Sequence, residues 1–241
     1  MNFQLPFYSL IAIQYLAAVS FILNIDTAVQ SASVCLAENE KVIALAVTPS
    51  QKDQAAWLHI AVRNILAKQD FTVHQLNAIA ISAGPGSYTG LRVGMATAKG
   101  LCYALNIPLI TVNTLQMMAM AAMNCEAHLL CPMIDARRME VFTAVFDHDR
   151  KEIMPPTNMI LDEDSFKDLT DKHKLCFFGN GSVKFQTITR SANAIFANVE
   201  ANASHMTTLS FQKFEAGFFA DIAYVVPNYG KDFHSALKQS L

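Results

Sequence analysis

The run richest in chemically suggestive residues is Ala83-Gly-Pro-Gly-Ser-Tyr-Thr-Gly-Leu-Arg-Val-Gly94. Its glycines permit positive φ and a close approach of backbone to a neighbour. Ser87 or Thr89 can cap the helix that follows by accepting its free N–H groups, and that helix start, with Arg92 beside it, suits an anion. Two readings stand side by side. Gly84, Gly86, Ser87, Thr89 and Arg92 form a phosphate or ligand cradle, or they form a tight strand-to-helix turn in which Gly94 and Gly100 let another helix pack closely. No GK[ST] follows, so this is not a Walker loop. Asp26 and Asp135 each close an apolar strand. In a two-lobed ATPase such acids would hold Mg²⁺ or orient a water at the phosphates. Asp135, however, is followed by Ala136, Arg137 and Arg138, which are bulky where a phosphate-hugging turn needs glycine. Gly179-Asn180-Gly181-Ser182 resembles a nucleoside-contacting turn. The expectation is a vestigial nucleotide site made of Asp26, Gly84, Gly86, Ser87, Thr89, Arg92, Asp135, Gly179 and Gly181, with no catalytic residue and no cofactor.

Other chemistries find less support. His59, His74, His128, His148, His173, His205 and His234 form no HxxxH or HExxH pair, so no metal site is expected. No GxSxG elbow occurs. Cys35, Cys102, Cys125, Cys131 and Cys176 are odd in number, lack a CxxC pair and sit among apolar neighbours. They read as buried, reduced thiols of a cytoplasmic protein.

The elements that must position these residues follow from composition and periodicity. The chain has 241 residues, 52% hydrophobic and 16% charged, enough for a sizeable core. Eighteen Lys and Arg against twenty Asp and Glu argue against a broad phosphate-binding face, so contact with nucleic acid would be local or through a partner. Residues 1–20 are apolar. The first basic residue is Lys41, which a signal peptide does not fit, and Ser9, Pro6 and Gln14 make a poor membrane span. An extension ahead of the domain, a signal or anchor, and an integral first element are the three readings, the extension being preferred.

Strands are expected at 21–26, 33–36 and 41–47, a helix over 54–68, a strand at 78–82, a helix over 90–105, a strand at 107–112 and a helix over 114–123. The order then restarts, with strands at 132–135 and 141–146, a short helix at 165–170, a strand at 175–178 and a further helix. Ile25-Asp26-Thr27-Ala28 answers Ile134-Asp135-Ala136-Arg137, and Gly84-Pro85-Gly86-Ser87 answers Gly179-Asn180-Gly181-Ser182. The repeat points to a duplicated α/β unit with mixed sheets, the two-lobed arrangement of actin-like, sugar-kinase and heat-shock ATPase folds. The lobes are expected at 21–114 and 115–241. Two apolar helical faces remain, one with Leu58 and Val62, the other with Val93, Ala96, Thr97, Gly100 and Leu101. Both read as sheet-covering faces or as partner interfaces.

The segment Gly84 to Gly94 resembles the signature of the TsaB (YeaZ) family. Ile22–Thr27 resembles that family's opening strand, Pro132–Val141 its second-lobe opening, and Pro227-Asn-Tyr-Gly-Lys-Asp-Phe233 its usual ending. The chain departs from the family in residues 1–20 and in Gln54, where the first long helix commonly opens with histidine. The resemblance implies a duplicated RNase H-like, actin-type fold. It also implies a non-catalytic, cytoplasmic subunit for threonylcarbamoyladenosine formation in tRNA. Such a subunit pairs with the catalytic TsaD through N-lobe helices and reaches TsaE through that complex. A homodimer can form through a similar surface when TsaD is absent, tRNA is met only indirectly, and there is no membrane contact.

Overall fold

The computed structural model describes residues 19–48 and 54–230; the expectations for 1–18 and for Lys231–Phe233 lie outside the described residues. Five strands build the first sheet: β1 (Phe21–Asp26), β2 (Ser33–Glu38), β3 (Lys41–Val47), β4 (Ala78–Ser82) and β5 (Leu109–Val112). Their order is β3-β2-β1-β4-β5, with β1, β2 and β3 antiparallel and β4 and β5 parallel to β1. The second sheet contains β6 (Leu129–Asp135), β7 (Glu140–Phe146), β8 (Glu152–Ile160), β9 (Leu175–Phe178) and β10 (Ala194–Phe196). Its order, read from the opposite edge, is β8-β7-β6-β9-β10, with the same antiparallel and parallel pairings. The chain thus folds the same unit twice, as a duplicated RNase H-like α/β fold.

Strand character follows burial. All of Ala78–Ser82 and Leu175–Phe178 are buried, and both read as continuous apolar runs because parallel strands are covered on both faces. The edge strand β8 carries Pro155 and Pro156, which cannot donate to a ladder. Its register shifts where they occur, between the Thr143↔Thr157 and Val145↔Met154 pairs.

On one face of the first sheet lie α1 (Gln54–Ala67) and α2 (Tyr88–Leu105). Leu58, Ala61, Val62, Ile65 and Leu66 of α1 pack there with Met95, Ala98 and Cys102 of α2 against Leu23, Ile25, Ile79 and Ile81. The remaining helices cross between the halves. α3 (Thr114–Ala121) packs on β6 and β7, whereas α6 (Thr207–Glu215) returns to β1 and β5. They enclose a shared core between the sheets, including Ile110, Leu115, Met118, Phe142, Phe146 and Phe178. The polar side of α6 is satisfied internally, since the buried Ser210 hydroxyl donates to Asn24 Oδ1 of the central strand at 2.7 Å. Beyond the second sheet, α4 (Lys167–Thr170) and α5 (Ser182–Gln186) flank a cluster in which Phe166, Phe177 and Phe185 meet at centroid separations of 4.8 to 5.3 Å.

The structure corrects the reading of five free thiols. The turn after α3 brings Cys125 against Cys176 of β9, with Cα atoms 6.7 Å apart, and the two form a disulfide. Cys35, Cys102 and Cys131 are free, and burial pushes each thiol up to about 12.

Candidate functional site

The glycine segment links the buried β4 to α2. Ser87 caps α2 by accepting from Gly90 N at 3.3 Å. Gly84 has φ +112, and a side chain at this position would meet the Asn228 carbonyl oxygen at 2.0 Å. Asn228 N in turn donates to Ala83 O at 2.7 Å, and the Tyr229 ring lies 5.0 Å from that of Tyr88. The chain's own C-terminal segment therefore fills the hollow that the glycines create. Gly86, Gly90 and Gly94 are pressed against the end of β1 and the residues after it, where a Cβ would meet Ala28 O at 2.4 Å, Thr27 O at 1.9 Å and Thr27 Oγ1 at 2.2 Å respectively. Close packing of β1 on α2 is what the glycines permit here, so the neighbour of Gly94 is a strand end rather than a second helix. Thr27 Oγ1 donates to Gly90 O at 2.7 Å and locks that contact.

Asp26 is fully buried. Its Oδ1 accepts from Ala28 N at 3.0 Å and from the Ser82 hydroxyl, while Oδ2 has no hydrogen-bond partner. Burial raises its carboxyl to about 6, against the lowering effect of those hydrogen bonds. Asp135, at the matching end of β6, is exposed and pairs with Lys184 at 2.6 Å, and its Oδ1 also accepts from Arg137 N at 2.6 Å. Partial burial works upward on this carboxyl, but the hydrogen bonds and charges of Lys184 and Arg137 outweigh it and hold it below the usual range. Arg137 and Arg138 both take positive φ in the turn that follows.

Gly179 and Gly181 are also filled from within. A Cβ at Gly179 would meet Met133 O at 2.4 Å, and one at Gly181 would meet Val141 Cγ1 at 2.9 Å. Thr89 and Arg92 sit outside this arrangement on the exposed side of α2, where Arg92 donates to the Tyr88 hydroxyl at 3.0 Å. The acids and glycines thus occupy equivalent positions in the two units; those of the second pack within their own half, whereas Gly84 of the first is closed by Asn228 from far along the chain. Among the described residues no three His, Cys, Asp or Glu side chains are grouped to hold a metal ion, and no helix is long and apolar enough to cross a membrane.

The helical faces divide differently from the sequence expectation. Leu58 is fully buried, and Val62 and Thr97 are 6% and 8% exposed. Leu58 and Thr97 point inward, because the apolar stripe of each helix covers the sheet, and Val62 does so too while keeping an edge in the groove beside α1. Val93 and Leu101 are half-buried, and Ala96 and Gly100 are exposed. A side chain at Gly100 would meet nothing within 4 Å. Tyr103, which sequence reasoning passed over, is 84% exposed on the same side of α2. Its signal was available: Thr89, Ala96, Gly100 and Tyr103 recur at helical spacing opposite the buried Leu91, Ala98 and Cys102. Along α1, closed by the segment after it and by Leu101 of α2, lies a groove of about 310 Å³, lined by His59, Val62, Arg63, Leu66, Phe71 and Leu101 among others. Segment 220–229 borders the other flank of α2, where Lys99 Nζ donates to Val225 O at 3.1 Å.

Residues 46–230 match the family described as "TsaD: tRNA N6-adenosine threonylcarbamoyltransferase". A protein named "tRNA threonylcarbamoyladenosine biosynthesis protein TsaB" from Bacillus subtilis is 32% identical over 58% of this chain and 62% of its own length. The Escherichia coli protein of the same name is 36% identical over 55% of this chain and 57% of its own. The matched region thus spans little more than half the length of these curated relatives. A crystal structure described as an uncharacterized protein with similarity to peptidase YEAZ from Pseudomonas aeruginosa superposes with a TM-score of 0.78 at 22% identity, covering 88% of this chain and 100% of the other. That likeness shows the fold, and with the sequence matches it assigns the chain: it belongs to the TsaD-type tRNA N6-adenosine threonylcarbamoyltransferase family, as a member of its TsaB (YeaZ) group.

Proposed function

We propose that this chain is the scaffold subunit of the machinery that makes threonylcarbamoyladenosine in tRNA, binding and activating a catalytic TsaD-type subunit. The observation that carries this reading is the exposed side of α2. Ala96 and Gly100 present almost bare backbone there beside Tyr103, and a side chain added at Gly100 would meet nothing within 4 Å. Small residues on an outward helical face let another helix approach closely, and an exposed aromatic beside them is a typical interface anchor. The names of the TsaB relatives support the pathway. A non-catalytic role fits glycine turns filled by the chain's own backbone and acids that are buried or already paired. In this scheme TsaE joins through the complex, tRNA is met through the partner, and the setting is the cytoplasm.

Light scattering on the full chain, alone and mixed with the TsaD-type subunit of the same organism, tests the reading. A new species at the summed mass is expected. Unchanged masses with a well-folded partner would overturn it.

A further inference from the structure

The first sheet ends on one side at β3, whose strand partner among the described residues is β2 alone. An edge strand offers a row of unpaired backbone N–H and C=O groups, and proteins commonly blunt it with charge or proline. β3 has neither beyond Lys41. Val42, Leu45 and Val47 are instead 41 to 45% exposed. Beside this edge lies a hollow of about 560 Å³, lined by Leu45 and Val47 of β3 and by Trp57, Ile60, Asn64 and Ile65 of α1 among others, with no described residue of α2. Ile60 is half exposed there.

Residues 1–18 contain no charged side chain, and Phe7-Tyr-Ser-Leu-Ile-Ala-Ile13 is rich in the aromatic and β-branched residues that favour strands. The point where this stretch enters the fold is fixed. Ser20 N donates to Asn39 Oδ1 at 2.9 Å, and Asn39 N donates to Ser20 O at 2.8 Å. Asn39 lies in the turn between β2 and β3, so the chain reaches β1 at the end of the sheet where β3 begins. From β1 to the position beyond β3 is three strand spacings, about 14 Å. Five extended residues, 14–18, reach about 16 Å. That leaves the seven residues Phe7–Ile13 to lie along the seven of β3.

We infer that Phe7–Ile13 pairs with β3 as an added strand, seating apolar side chains in the hollow beside Trp57 and Ile60. β1 and β3 both run away from the hairpin end and the added segment runs toward it, so the new pair is antiparallel. The connection passes the β2–β3 turn and completes a Greek key. Its tether holds the segment beside the edge at a high effective concentration, an advantage over any free chain. The inference is independent of the docking reading, because the hollow includes none of Ala96, Gly100 and Tyr103.

Trp57 is the chain's one tryptophan and reports on the hollow. The experiment is acrylamide quenching of its fluorescence together with amide exchange along β3. The full-length wild type is compared with the full-length Leu10→Asp/Ile11→Asp and Leu10→Val/Ile11→Val variants, after thermal unfolding has shown each to be folded. Neighbouring strand residues point to opposite faces, so the Asp pair charges both. The Asp variant should raise the quenching constant severalfold and speed exchange of the outward amides of β3 on the order of tenfold or more. The Val variant should follow the wild type. Equal quenching and exchange in the wild type and the Asp variant would overturn the inference. Shielding of Trp57 that disappears on dilution would place a second copy on the edge and overturn it too. Flotation of the wild type, but not of the Asp variant, with phosphatidylcholine and phosphatidylglycerol vesicles would give the segment to a membrane, with the same consequence. Should the Asp variant not fold, the wild type decides alone. β2 takes only alternate N–H groups of β3, so protection at consecutive residues supports the added strand and free exchange at alternate ones refutes it.

Discussion

The two halves repeat one topology and give its matching acids opposite surroundings. Asp26 is sealed at the end of β1 with one oxygen unpartnered, and burial lifts its carboxyl to about 6. Asp135, at the same place in the second unit, stands exposed against Lys184 and is held low. The glycine turns show the complementary pattern, since both are occupied from within, by Asn228 and Ala28 in the first half and by Met133 and Val141 in the second. A strand ending in Asp beside a glycine turn is thus a folding device of this unit, and the local neighbours decide what else it does. Surface charge divides the halves too. The cations of the second half include those in ion pairs, whereas Arg63 and Arg92 face outward on helices almost free of acids.

The comparison breaks most visibly at Gly84. Gly84→Ala forces a Cβ to within 2.0 Å of a backbone oxygen at φ +112. A loss of about 3 kcal/mol or more is expected in urea unfolding, and a loss below about 1 kcal/mol would mean that the C-terminal segment yields easily.

Next comes Asp26. Its folded pKa of about 6 lies above the ordinary 3.8, so between those values the folded state holds more protons and stability falls as pH rises. Above pH 6 the full cost, about 3 kcal/mol, is present. Asp26→Asn removes this titration, so between pH 4 and pH 8 the wild type should lose about 2.5 kcal/mol relative to the variant. Parallel stability profiles would show that the carboxyl is not strained by burial.

At the matching position the expected effect is smaller. Lys184→Met breaks a pair whose side chains are 18% and 40% exposed, and a cost of at most about 1 kcal/mol is expected after screening by solvent. A larger loss would make the second acid as central to folding as the first. Smallest is Gly100→Ala, which meets no neighbour within 4 Å and should raise stability by about 0.5–1 kcal/mol through helix propensity. Thermal unfolding checks the sign.

Much of this fold could be read along the sequence. Alternation and apolar runs located β1, β3, β4 and β9 to the residue, and the apolar stripe of α1 is the one that covers the sheet. Three later elements escaped. β8 hides behind Pro155-Pro156, β10 is three residues long, and α6 carries Thr207 and Ser210 on its buried side, so its apolar period is interrupted. The glycines were visible and their partners were not, because Asn228 and Gly84 meet only through tertiary folding. Leu58 and Val62, open between sheet cover and interface in the sequence, cover the sheet, and the exposed Tyr103 went unread. The pairing of Cys125 with Cys176 likewise depends on how α3 crosses to the second sheet.

The most direct test of the docking account is Gly100→Leu, examined for both stability and affinity. The account predicts an unfolding midpoint at or above that of the wild type and affinity for the TsaD-type subunit reduced on the order of tenfold or more. A variant that fails to fold would place that face of α2 in the core, and one that folds and binds unchanged would remove α2 from the interface.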